Sequence, residues 1–112
     1  MTADPEQVQR VLDLLDTGVV RLDEAGCIHF MNSAAEHCLM VSRDRAEGHR
    51  LENVARIPAE LATAIAEGLY PGYSIRLHEL QLGRELYDCT VQMTRNHRIL
   101  LEFHNLEWEQ MR

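Results

Sequence analysis

The chain has 112 residues, 46% of them apolar, which suits one domain around one core and is too short for two. Eleven basic against eighteen acidic side chains leave a formal charge of -7, with the basic residues scattered, so neither nucleic acid nor an anionic lipid surface is an expected partner. No run approaches the roughly 20 apolar residues of a spanning helix, the opening MTADPEQ lacks the basic-then-apolar order of a secretory signal, and Cys27, Cys38 and Cys89 have no Cys-x-x-Cys spacing; a cytoplasmic domain without disulfides or structural zinc is expected.

Asp4, Pro5 and Gln7 form a helix start, with Asp4 as cap, Pro5 at the first helical position and Gln7 completing a capping box. Val8, Val11, Leu12 and Leu15 then recur with helical spacing, which predicts an amphipathic helix over 5–16 that stops at Gly18. Leu14 widens the apolar arc beyond what one contact surface requires, so part of this helix is expected to form a dimer seam.

From Gly18 the period changes to two. Val20 and Leu22 alternate with Val19, Arg21 and Asp23, and the turn Asp23-Glu24-Ala25-Gly26 leads to a second strand over 27–31. Asn32 is placed to cap a short helix over 33–40, and truncating it should cost about 1 kcal/mol as a lost cap. A helical turn over 42–45 ends at Gly48, and Pro58 opens a longer helix with Leu61, Ile65 and Leu69 on one side, ended by Gly68 and Pro71-Gly72.

The last third reads as antiparallel sheet. In 74–82 the alternation of Ile75 and Leu77 changes phase before Leu80 and Leu82, which predicts a bulge near His78-Glu79; Gly83-Arg84-Glu85 is the hairpin loop. Tyr87, Cys89, Val91 and Met93 point to the dry face, followed by a loop at Arg95-Asn96-His97. Ile99, Leu101 and Phe103 are the dry residues of the final strand, and Leu100 on its wet face is a candidate docking point. Residues 107–112 read as the start of a helix.

The six histidines supply no i, i+4 helical pair, and His29, His78 and His104 fall on three different strands, so no metal is expected. No serine sits in a nucleophile elbow, no glycine-rich loop follows a strand, and the carboxylates read as solvated turns and helix faces; the chain is not expected to be an enzyme. Cys38, among apolar neighbours, reads as core filler.

Two strands, short helices, then three strands is the order of a PAS domain, and the run LDEAGCIHFMNSAAEHCL (22–39) resembles the PAS pattern of strand, acidic-Gly turn, strand, Asn and small-residue helix. The chain is most similar to the N-terminal PAS domain of NtrB-type nitrogen-regulation histidine kinases. The likeness is carried by VLDLLDTGVVRLD, by Asn32-Ser33-Ala34-Ala35 where that family has Asn-Pro-Ala-Ala, by DCTVQM, and by ILLEF before a charged segment.

The resemblance implies an α+β PAS fold, a five-stranded antiparallel sheet in order 2-1-5-4-3 with helices on one face. The expected layout is a flanking helix over 1–17, the PAS domain over 18–106 and the start of an exit helix over 107–112. It implies a non-catalytic sensory and homodimerisation module working with its parent kinase domain on an NtrC-type response regulator, with a PII-type protein upstream. The phosphorylated histidine and ATP lid of such kinases do not occur in this sequence, so an excised sensor region is expected.

No cofactor is implied: the helix where haem-binding PAS domains carry an axial His reads PAELATAIAEG, and Cys38 does not sit in the flavin-adduct motif. The candidate interface is Val8, Val11, Leu12, Leu14, Leu15 and Leu100, and Asn32 caps the hairpin-helix junction. The alternative is a small-metabolite-binding PAS sensor domain of another bacterial signalling protein or transcriptional regulator.

Overall fold

A computed structural model describes residues 16–67 and 72–106. A hairpin of β1 (Gly18–Leu22) and β2 (Ile28–Met31) is followed by α1 (Ser33–Leu39), α2 (Arg43–Ala46), α3 (Leu51–Val54) and α4 (Ala59–Glu67). Then β3 (Ser74–Leu82), β4 (Glu85–Met93) and β5 (Ile99–Asn105) run as an antiparallel meander. The long-range pairing of β1 with β5 joins the two groups into one sheet of order β2-β1-β5-β4-β3, as the resemblance implies.

The period-two pattern explains which face is dry. Val20, Leu101 and Val91 stand opposite one another across β1, β5 and β4, and Phe103 faces Cys89 in the next inward row; all five are at most 1% exposed. Onto that face the helices bring Ala35, Leu39, Ala46, Leu51, Leu61 and Ala64, which form one core with the sheet. Among the described residues no helix is long and apolar enough to cross a membrane.

Helix α1 crosses β1 very closely. A Cβ on Gly18 would stand 3.1 Å from the Ala35 Cα and 3.2 Å from the Cys38 sulfur. Gly18→Ala should therefore overpack the contact and lower stability by about 1–3 kcal/mol, read as a lower denaturant midpoint at unchanged slope.

Several expectations need correction. Strand β2 begins at Ile28 and not at Cys27, which makes only an isolated bridge to Arg50, and a register shift opposite Arg21 and Leu22 leaves both Ile28 and Met31 inward, with His29 exposed. A separate helix, α3, starts at Leu51, between the turn ending at Gly48 and the helix opened by Pro58, where no element was expected. Helix α4 buries Leu61 and Ala64, while Ile65 is only half-buried. The bulge in β3 is where the phase change placed it, between Leu77 and Leu80, with Glu79 in the left-handed region at φ 55°. The helix over 5–16 with Val8, Val11, Leu12, Leu14 and Leu15, the helix stop with Leu69, Gly68 and Pro71, and the exit helix from 107 fall outside the described residues, apart from Asp16.

Candidate functional site

The hairpin-helix junction is built around Asn32, which is fully buried. Its extended backbone and side-chain oxygen make it the N-cap of α1: Oδ1 accepts the Ala35 amide at 3.0 Å, as expected from the sequence. The same oxygen also accepts the Val19 amide at 2.8 Å, and Nδ2 donates to the Thr17 carbonyl at 2.8 Å. The Asn32 amide donates to the Val19 carbonyl at 3.1 Å, and its carbonyl accepts the Glu36 amide at 3.1 Å. One side chain thus ties the first turn of α1 to the residues through which the chain enters the sheet.

The chain leaves the sheet beside that entry. Gly18 pairs with Phe103, and Thr17 Oγ1 lies 3.4 Å from His104 Nδ1. His104 Nε2 in turn lies 3.7 Å from a Glu102 carboxylate oxygen on the same strand face. Leu100 is on this outer face, half-buried, opposite Arg21 on one side and Gln92 on the other, with Phe30 next to Arg21.

Opposite His104 stands Asp88, 8% exposed, which corrects the expectation that carboxylates would sit in solvated places. Its Oδ1 accepts the amide of the left-handed Glu79 at 3.1 Å, and Oδ2 lies 3.2 Å from Arg76 Nη2 and 3.3 Å from His78 Nδ1. The carboxylate therefore pins the β3 bulge. His78 and His104 lie on opposite sides of the Asp88 strand, so the three strand histidines do not gather. Among the described residues no group of three His, Cys, Asp or Glu side chains is arranged to hold a metal ion.

Burial alone would raise the pKa of Asp88, but the Glu79 amide, His78 and Arg76 outweigh it and hold the carboxyl below the usual 3.8. Asp23 in the first turn is lowered as well: the Cys27 amide is the largest cause, burial opposes it, and His29 and the Ala25 amide tip the balance further downward. A carboxyl with a depressed folded-state pKa contributes stability that is complete above its unfolded value and lost as pH falls through the folded value. Stability is thus expected to fall as pH drops below about 3.8, and Asp88→Asn should flatten that slope in denaturation curves taken across the acid range.

At the β3–β4 end of the sheet, the Glu85 carboxylate Oε2 accepts the Tyr87 hydroxyl at 2.6 Å and Asn105 Nδ2 at 2.8 Å. Burial, then the bond to Glu85, pushes the Tyr87 phenol far above its ordinary range, so it stays a neutral donor. Cys38 lies 5% exposed with its thiol pushed up by burial, and burial raises Cys89 to about 12. Both are protonated core side chains without nucleophilic character.

The same architecture occurs in solved structures. The PAS domain of nitrogen regulation protein NR(II) from Vibrio parahaemolyticus matches with a TM-score of 0.66 at 20% identity, over 94% of this chain and 100% of that one. The PAS domain of the quorum-sensing receptor RpfR from Cronobacter turicensis, solved in complex with C12:0, matches with a TM-score of 0.64 at 15% identity, over 82% and 95%. A chain of the E. coli DhaR(N)–DhaL complex matches with a TM-score of 0.63 at 22% identity, over 88% of this chain but only 35% of that one. The sequence matches no protein-family model and no curated protein. Sheet order and these likenesses together establish the fold: this is a PAS fold.

Proposed function

We propose that the chain is a non-catalytic sensory and dimerisation domain of an NtrB-like sensor histidine kinase, controlling an NtrC-type response regulator in nitrogen regulation, with a PII-type protein as upstream partner. The observation that carries the reading is the Asn32 junction. It couples helix α1 to Thr17 and Val19 where the chain enters, next to His104 where it leaves. A displacement of one flank is then transmitted to the other through the Asn32 bonds to Thr17 and Val19 and through the pairing of Gly18 with Phe103.

The NtrB-like assignment draws on the Asn32-Ser33-Ala34-Ala35, DCTVQM and ILLEF segments, and on the end-to-end coverage of the NR(II) PAS domain. In this reading two copies are held by residues 5–16, with Val8, Val11, Leu12, Leu14 and Leu15 in the seam and Leu100 as a docking point on the sheet. The dimer sets the rotation between the two segments that leave after Leu106, and two alternative packings of those segments favour kinase and phosphatase states respectively.

Sedimentation equilibrium tests the assembly. The full chain is expected to run at twice its 12.9 kDa, and deleting residues 1–16 should give a folded monomer. A full chain that stays monomeric at high micromolar concentration contradicts the dimer; a truncated chain that dimerises as tightly contradicts the seam.

A further inference from the structure

Helix α4 carries two apolar sides. Leu61 and Ala64 are buried in the core, while Ala62, Ile65 and Ala66 turn toward a groove on the flank of the domain. The groove has a volume of about 250 Å³, and Ile57 and the inner residue Ile99 complete its apolar floor. Ala62 and Ala66, one turn apart, are small enough to leave it open.

Its rim is polar and fixed by backbone pairing. Cys27 bridges to Arg50, and the Leu51 amide donates to the Gly26 carbonyl at 3.2 Å, which holds the first hairpin turn against the start of α3. Glu24, Arg50 and Glu52 line the mouth. Arg50 meets Glu52 through Nε at 2.8 Å, and neither its remaining guanidinium nitrogens nor the Glu24 carboxylate has a partner among the described residues.

Volume and charge together narrow the occupant. The groove is smaller than the roughly 300–1,000 Å³ of sites for drug-sized ligands, so a single residue-sized metabolite fits and a haem or dinucleotide does not. A simple anion would meet two carboxylates against one guanidinium, on a chain of net charge -7. A simple cation would leave the open edge of Arg50 unanswered. A zwitterion satisfies both signs, because a carboxylate matches the free fork of a guanidinium and an ammonium matches Glu24 and Glu52.

We propose that this groove binds a small amphiphilic α-amino acid, with its carboxylate at Arg50, its ammonium between Glu24 and Glu52, and a branched aliphatic side chain on Ile57, Ile65 and Ile99. The site is separate from the Asn32 junction, and its occupancy does not depend on the kinase reading. A ligand there bridges the first hairpin turn and α4, and so links the hairpin that carries β1 to the helical cover of the core.

The test is a titration of the isotope-labelled full chain with L-leucine, followed by NMR. Saturable shifts are expected at the Ile57, Ile65 and Ile99 methyls, with the Leu101 and Phe103 signals of the sheet interior unmoved. Glycine, 4-methylpentanoate and 3-methylbutylamine, which lack the side chain, the ammonium and the carboxylate respectively, should each bind about tenfold more weakly or worse.

Arg50→Gln, at an exposed position, should weaken leucine by a similar factor, and Ala62→Leu, also exposed, should block it by filling the groove while leaving the rest of the spectrum in place. The proposal is overturned by no saturable shift at millimolar leucine, by an analogue that binds as well as leucine, by shifts centred on the sheet interior, or by undiminished binding in folded Ala62→Leu.

Discussion

Replacing Asn32 by Ala is expected to lower stability by about 3 kcal/mol, well beyond the loss of a simple helix cap. Losing the bond to the Ala35 amide costs about 1 kcal/mol, as for other N-caps. The Val19 amide and Thr17 carbonyl, both at half-buried residues, lose their side-chain partner, and each adds about 1 kcal/mol, the lower end of the range for a stranded polar group, because water can partly replace the bond. Asn32→Asp should fall between the two, because it keeps both acceptor bonds but sets a carboxylate oxygen against the Thr17 carbonyl. Urea denaturation of the three proteins reads these differences. A loss of only about 1 kcal/mol in Asn32→Ala would reduce the residue to a cap and remove its part in coupling the chain's entry to α1.

The other large effect is expected in the sheet. Val91→Asp should destabilise the domain by several kcal/mol or prevent folding, because Val91 is 1% exposed between Leu101 and Ile75 and a carboxylate there has no cationic partner. Gln92→Asp, one residue on, is exposed between Leu100 and Ser74 and should change stability by less than about 0.5 kcal/mol. Equal midpoints for the two variants would mean a register displaced by one residue, which turns every side chain of β4 to the other face.

The contrast between these two sites explains what could be read from the residues. The inward row of β4 and β5 was legible because alternation records burial directly, and the β3 bulge was legible because it breaks that alternation. Asn32 was recognisable as a cap from its neighbours in the chain. Its bonds to Thr17 and Val19 were not, since they depend on how the first hairpin folds back on α1.

Asp88 was missed for a related reason. Alternation put it on the outer face, which was read as solvated, whereas a left-handed Glu79 needs an acceptor for its amide and Asp88 is the side chain opposite. The predicted bulge was the signal that could have found it. Helix α3 was hidden by its four residues and by the lack of a capping side chain at Arg50. The second apolar side of α4 was obscured because alanines carry too little surface to mark a face.

The central proposal is that this PAS fold passes a signal between its flanks to an NtrB-like kinase. The most direct measurement joins this chain, in place of the native PAS domain, to the kinase core of an NR(II)-type protein and follows phosphorylation and dephosphorylation of an NtrC-type receiver. The chimera is expected to hold a defined balance of the two activities, and folded Asn32→Asp should shift that balance without abolishing either. A chimera whose two activities match those of the kinase core without any PAS domain, and do not respond to Asn32→Asp, would contradict the account.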